Sequence, residues 1–451
     1  MFEKLFKLKA KNTTVKTEVI AGITTFLTMA YILGVNPQML SATGMDFNSV
    51  FLATAIASGI ASILMGILAN FPVALAPGMG VNALFTYTVC MGYGYLWQEA
   101  LAVVFISGVI FLIISITGLR KIIINAIPTH LKSAIGAGIG FFIAFIGLKN
   151  AGIVIPNAST YIGLGPLTTP TILLCLLGLV ITIVLLVRKV NAAVFYGLLA
   201  TAVVGVILGM AGISGMPTAP ASIVASVPPM PTFMAFTDGF KTLFSHPDLI
   251  LVIFSFLFVD FFDTAGTLVA IGSRVGLIDK KGELINAEQA FAADSVGTCV
   301  GAVLGTSTVT SYVESTAGVA AGGRTGLTAV VTGVLFILSV FFTPLLSVVN
   351  SVPVLIGEAT FFLSPVTSPA LIVVGVLMVQ QVREIEWLDL KIAAPCFITI
   401  IMMVCTASIS DGIALGFITY GIAELASGDY KNVHVSMWVL ILIFLARFIF
   451  I

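Results

Sequence analysis

Three carboxylates, Asp260, Asp263 and Glu314, stand in stretches of this 451-residue chain whose other residues suit lipid. An acidic side chain at membrane depth is expensive, so it faces a polar cavity and performs a task there. Asp260 and Asp263 are three residues apart, which on a helix puts both towards one face, a turn apart. Thr264 and Thr267 extend that polar stripe, while Phe258, Phe261 and Phe262 cover the other directions. Glu314 follows the alternating run Thr308-Val309-Thr310-Ser311-Tyr312-Val313, which reads as a strand. It precedes a small-residue run, Ala317 to Gly323, that reads as a helix. Free backbone N–H groups at such a junction favour an anionic or hydrogen-bonding partner.

The chemistry these groups could do is recognition and proton exchange. A carboxylate accepts two parallel hydrogen bonds from adjacent N–H donors, the pattern on one edge of guanine; hypoxanthine offers one donor there. Asn82, at the matching junction earlier in the chain, can donate and accept, and nearby phenylalanines could stack on a flat ring. Burial and a second carboxylate nearby both favour the protonated form. One of Asp260 and Asp263 would then hold an exchangeable proton at neutral pH, which a proton symporter needs.

The elements that position these residues are membrane segments. Hydrophobic residues make up 59% of the chain, charged ones 9%, and the mean hydropathy is +1.15. Apolar runs long enough to span a bilayer fall near 18–38, 48–70, 72–92, 98–117, 131–148, 170–188, 192–212, 248–268, 287–304, 308–322, 325–345, 367–382, 391–406 and 409–425. A last run, 434–450, interrupted by Arg447, either crosses or lies at the interface. With the N-terminus inside, all Lys and Arg residues except Lys149 and Lys241 fall on the cytoplasmic side, and so does the C-terminus. That count includes Arg120, Lys121, Lys280 and Lys281.

A Pro-rich stretch, 213–247, separates seven segments from seven, so the second half runs inverted relative to the first. Residues 149–169 form a second outer loop. Thr25-Phe26-Leu27-Thr28-Met29-Ala30 in segment 1 corresponds to Asp260-Phe261-Phe262-Asp263-Thr264-Ala265 in segment 8. Segments 3 and 10 both break helical habit. The first has Pro72, Pro77, Gly78 and Gly80, and the second has the strand-like run before Glu314. Each is expected to enter as a short strand and continue as a half-helix. Such breaks at matching positions point to a binding site. The fold class expected is an all-α polytopic membrane protein of about fourteen segments, with short strands in segments 3 and 10.

Other classes fit less well. Zero net charge indicates no nucleic-acid partner. The five cysteines lack metal-ligand spacing, and no metal, cofactor or catalytic constellation is indicated. No cleavable leader is expected at the basic N-terminus. An intramembrane aspartyl protease needs its aspartates on different helices, whereas Asp260 and Asp263 share one. An anion carrier would avoid carboxylates facing its cargo. Among the remaining polar residues, Asp294 reads as a conformational or capping group, Asp411 as a helix N-cap and Glu358 as interfacial. His130, His246 and His434 read as solvated loop residues, and Arg324 as a cytoplasmic anchor or a counter-charge for the site.

Three motifs carry a resemblance to a known family: Pro77-Gly78-Met79-Gly80-Val81-Asn82-Ala83, Asp260-Phe261-Phe262-Asp263-Thr264-Ala265-Gly266-Thr267 and Thr310-Ser311-Tyr312-Val313-Glu314-Ser315-Thr316-Ala317-Gly318. Together with Thr24 to Ile32, Ala292, Asp294 and Ser295, they resemble the AzgA-like purine permeases of the nucleobase/ascorbate transporter superfamily. That resemblance implies a seven-plus-seven inverted repeat. Its core domain would be residues 1–125 and 248–350, and its gate domain 126–215 and 351–428. An extracellular linker, 216–247, and a C-terminal apolar helix, 429–451, complete the chain. It implies a multi-pass carrier in the cell membrane, not an enzyme, that imports hypoxanthine, guanine or adenine with protons as core and gate move. Substrate would be bound by Asn82, Asp263 and Glu314, with Thr264, Ser315 and Thr28 beside them. Asp263 and Asp260 would couple the proton. A uracil or xanthine symporter of the same fold is the alternative, against which Glu314-Ser315-Thr316 speaks. Partners expected are the purine base, protons and the lipid bilayer; pairing with a second copy, as a homodimer, stays open.

Overall fold

The computed structural model describes residues 2–117, 128–220, 222–224, 227–277, 284–357 and 359–450. Arg120, Lys121, Lys280, Lys281 and Glu358 therefore lie outside the described residues. Among those described, nine helices are long and apolar enough to cross a membrane. They are segments 1 (Val15–Ser41), 2 (Phe47–Ala69), 4 (Trp97–Thr117), 5 (Thr129–Asn150), 6 (Pro170–Val187), 7 (Ala193–Met210), 8 (Leu249–Arg274), 11 (Gly326–Leu345) and 14 (Ile409–Ser427). The others are shorter or more polar: segment 9 (Ala287–Leu304), segment 12 (Ser368–Val379), segment 13 (Leu390–Cys405), and the two interrupted segments.

Segment 3 consists of β1 (Leu75–Pro77), a short helix (Met79–Ala83) and a wider helical stretch (Leu84–Gly92). Segment 10 consists of β4 (Val309–Ser311) and a half-helix (Ser315–Ala320). The two strands pair antiparallel, with Leu75 opposite Ser311, Ala76 opposite Thr310 and Pro77 opposite Val309. Gly78 N–H to Thr308 O and Tyr312 N–H to Ala74 O, both 3.0 Å, extend the ladder at each end. Extended backbone inside a bilayer must find partners within the protein, and here each broken segment supplies them to the other.

Segments 1, 2, 4, 8, 9, 10 and 11 pack on one another around the strand pair, and 5, 6, 7, 12, 13 and 14 form a second bundle. Segments 2 and 11 bring their backbones together at two glycine pairs: a Cβ on Gly326 would stand 2.0 Å from Gly66 O, and one on Gly333 2.6 Å from Gly59 O. Links between the bundles are thinner: segment 3 against 5, 8 against 14, and 1 against 7. The sequence anticipates strands only in segments 3 and 10. Two further hairpins are present, β2 (Val154–Asn157) with β3 (Tyr161–Leu164) in the expected loop, and β5 (Val352–Ile356) with β6 (Ala359–Leu363). The C-terminal helix (Val435–Phe450) lays Met437, Ile441 and Phe444 against the protein, and Phe444 meets Phe417 of segment 14 and Phe254 of segment 8.

Candidate functional site

Segment 1 breaks at Ala30–Tyr31, and this break turns the Tyr31 side chain towards the start of the segment 10 half-helix. Its hydroxyl donates to Glu314 Oε1 at 2.7 Å. Glu314 itself occupies the N-cap position of the half-helix and is half-buried. Asp263, half-buried on segment 8, lies close enough to feel the charge of Glu314. Tyr312 lies on the same side, its hydroxyl bonded to Pro77 O. Thr28 Oγ1 donates to Thr25 O at 2.7 Å and stands 3.4 Å from Glu314 O. Two acids, two phenols and a helix N-terminus thus converge from segments 1, 8 and 10.

The stripe expected on segment 8 divides. Asp260 turns away from Asp263 and is buried, accepting from Thr298 Oγ1 of segment 9 at 3.0 Å. Thr264 is also buried: it donates to Asp294 Oδ1 at 2.7 Å and meets Thr310 Oγ1 at 2.8 Å. Residues three and four apart diverge by 60° and 40° in opposite senses around an ideal helix, enough for the strand to pass between them. Ser315 Oγ is engaged as well, accepting from Ala74 N–H at 3.0 Å, so it pins β1. Asn82 sits inside the segment 3 helix, whose N-cap is Gly78; its Oδ1 accepts from Ser307 Oγ, and its buried Nδ2 has no partner.

Several peripheral residues differ from expectation. Asp294 caps nothing: it lies within segment 9, fully buried, and accepts from Thr264 and from Ser311 Oγ at 2.9 Å. The N-cap of segment 14 is Ser408, which accepts from Asp411 N–H, while Asp411 Oδ1 accepts from Tyr93 of segment 3 at 3.2 Å. Arg324 donates to Val319 O and Gly323 O, so it closes the carboxyl end of the half-helix. His246 is packed, not solvated: its ring stacks 3.8 Å from Tyr95, and Nε2 lies 3.2 Å from Glu99 Oε2. His130 is half-buried beside Tyr420. Tyr31, Tyr312 and Lys132 were missed as site neighbours. Lys132, on segment 5, places its ammonium 5.3 Å from the centre of the Phe262 ring. Tyr31 carried one signal, a phenol embedded in an apolar run three residues after Thr28.

The sequence profile of the Xan_ur_permease family, described as a permease family, matches residues 16–415. The chain belongs to this permease family. It is 48% identical over 455 residues to the guanine/hypoxanthine permease PbuG of Bacillus subtilis, an alignment covering 99% of each chain. It is 41% identical to the adenine permease AdeP of Escherichia coli, covering 100% of this chain and 96% of that one. Among solved structures it resembles the transmembrane domain of a cyanobacterial bicarbonate transporter, BicA, with a TM-score of 0.63 at 14% identity, over 89% of this chain and 97% of that one. SLC26A9 matches with a TM-score of 0.56 at 12% identity, over 94% of this chain and 68% of that one. At such identities the likeness concerns the fold, and it establishes the seven-plus-seven architecture. The permease is a multi-pass membrane protein and not an enzyme.

A separate cleft of about 360 Å³ opens beside this permease's hairpin β5–β6. Gln38, Tyr87, Lys149, Asn150 and Phe362 are among its lining residues, and neither Asp263 nor Glu314 borders it.

Proposed function

We propose that this permease imports purine nucleobases, namely hypoxanthine, guanine or adenine, across the cytoplasmic membrane together with protons. The observation that carries this reading is Glu314 at the tip of a membrane-buried half-helix, with Asp263 within electrostatic reach and Tyr31 holding one of its oxygens. A carboxylate fixed on one oxygen by a phenol keeps its other oxygen for the ring N–H of a base, and the helix N-terminus favours whatever charge develops there. Asn82 supplies an amide with a free donor for a ring nitrogen or carbonyl. Relatives named for guanine, hypoxanthine and adenine align over nearly the whole chain and support the purine class over uracil or xanthine.

The bundle of segments 1–4 and 8–11 would be the core that carries the base. The bundle of segments 5–7 and 12–14 would be the gate against which it slides, and the thin contacts between them favour such an elevator-like movement. Both termini would be cytoplasmic, the orientation that the basic residues favour. A carboxylate of segment 8 would carry the proton. Counterflow into proteoliposomes tests the whole reading. Internal hypoxanthine should drive uptake of labelled hypoxanthine; guanine or adenine should compete, and uracil and xanthine should not. Uphill accumulation should require an inward proton gradient. Competition by uracil alone would move the permease to the alternative substrate class.

A further inference from the structure

Behind β4, away from the Asp263–Glu314 space, lies a second pair of acids. Asp260 and Asp294 are 2% and 0% exposed, and each keeps one carboxylate oxygen without a hydrogen-bond partner. Asp294 is the charged group that acts most strongly on Asp260. Around them are hydroxyls, that of Thr310 among them, and the Ser311 backbone N–H. Thr298 donates to Asp260 Oδ2 and also reaches Val309 O at 3.1 Å, while Thr264 and Ser311 donate to Asp294 Oδ1. The other titratable groups facing the pair are Asp263 on segment 8 and Cys299 on segment 9. No Lys or Arg is paired with either acid among the described residues. Two unbalanced charges in a dry site are far too costly to be permanent.

The first half shows that the architecture itself does not require these acids. There Ser62 Oγ bonds both Leu75 O, at 3.1 Å, and Leu75 N–H, at 2.9 Å, the same service to β1 that Thr298 gives β4. The hexamer that begins with Asp260 in segment 8 begins with Thr25 in segment 1. One helical turn before the strand-locking hydroxyl, segment 2 has Ser58 where segment 9 has Asp294. At these matching positions neutral hydroxyls suffice. The carboxylates are therefore additions, and their open oxygens await a cation.

We infer that the Asp260–Asp294 pair is the site of the coupling proton, separate from the substrate carboxylates and linked to them through β4. This rests on the symport reading above and assigns its proton to a place. One proton bonds to an open oxygen of the pair, leaving a single negative charge shared over hydroxyl donors, and it leaves on the cytoplasmic side when the core has moved. With both acids ionised, repulsion acts on segments 8 and 9 where they hold Val309 and Ser311. Those residues lie five and three positions before Glu314, so substrate is bound well only when the proton is present.

The test compares D294N and D294S, the second giving segment 9 the residue that segment 2 carries, in purified full-length protein and in proteoliposomes. For the wild type, hypoxanthine affinity should fall about tenfold per pH unit once the pair ionises, the slope of one linked proton. Both variants should bind hypoxanthine with that slope abolished. They should retain counterflow, and they should fail to accumulate substrate under a proton gradient. Either variant keeping the wild-type slope and accumulation overturns the inference while leaving the purine reading intact. Wild-type accumulation driven by a sodium gradient at constant pH, and lost in D294N, would assign the pair to sodium and overturn the proton. No hypoxanthine binding by the wild type would instead refute the parent reading.

Discussion

Segment 3 turns from β1 into its helix at Gly78, and segment 10 turns from β4 into its half-helix at Glu314. The backbone device is shared and the side chains are not. At Gly78 a Cβ would stand 2.4 Å from Thr310 Cγ2 and 2.7 Å from Val81 Cγ2, so the opposite strand closes that junction. At Glu314 the junction carries a carboxylate steadied by Tyr31. The inverted repeat thus provides a symmetric frame, with Ser62 and Thr298 locking the two strands alike. The acids within it are concentrated in the second half. Duplicated architecture tolerates this because the frame rests on backbone ladders and hydroxyls, which leave the neighbouring positions free to diverge.

The largest test of the asymmetry removes the acid. Glu314→Ala should weaken hypoxanthine binding by about 3 kcal/mol, roughly a hundredfold, because the charge-assisted hydrogen bond to the ring N–H disappears and the Tyr31 hydroxyl loses its acceptor. Asn82→Ala, in the neutral half, should cost only about 1 kcal/mol. Equilibrium binding to purified protein measures both, with thermal melting as the control for folding. Equal losses would mean that the two junctions contribute alike and that the acid has no special place.

A second test addresses the closed junction. Gly78→Ala should destabilise the protein by about 1–3 kcal/mol, the cost of overpacking a filled site. Thr310→Ser removes the methyl that the new Cβ meets and keeps the hydroxyl facing Thr264, so the double variant should recover most of that loss. Melting of the four proteins closes the cycle. Additive effects would show that the strand pair does not transmit the clash.

Much of this frame was legible in the sequence because the bilayer enforces it. Runs of apolar residues, Pro77-Gly78 in one half and the Thr/Val alternation before Glu314 in the other locate both broken segments. The side-chain directions were less accessible. A spacing of three places Asp260 and Asp263 on one broad helix face, but nothing local reveals that Asp260 and Thr264 find their partners on segments 9 and 10. Asp294 was misread for the same reason, since its partners Thr264 and Ser311 come from segments 8 and 10. The hairpins β2–β3 and β5–β6 escaped because Pro156, Asn157 and Pro353 signal loops as readily as edge strands. His246 looked solvated because its stacking partner, Tyr95, belongs to a different loop.

The smallest expected effect concerns the position in segment 1 that corresponds to Asp263. Thr28 spends its hydroxyl proton on Thr25 O, a carbonyl of its own helix, and Glu314 O stands farther away at 3.4 Å. Its removal takes away a local hydrogen bond and some packing beside the site, but no charge. Thr28→Ala should therefore lower hypoxanthine affinity by about 0.5–1 kcal/mol, roughly threefold, and leave the pH dependence unchanged. Asp263→Ala at the corresponding place should weaken binding by about 2 kcal/mol, roughly thirtyfold. A Thr28→Ala loss as large as that of Asp263→Ala would make the first half a full partner in recognition, and the division between frame and chemistry would then have to be redrawn around segment 1.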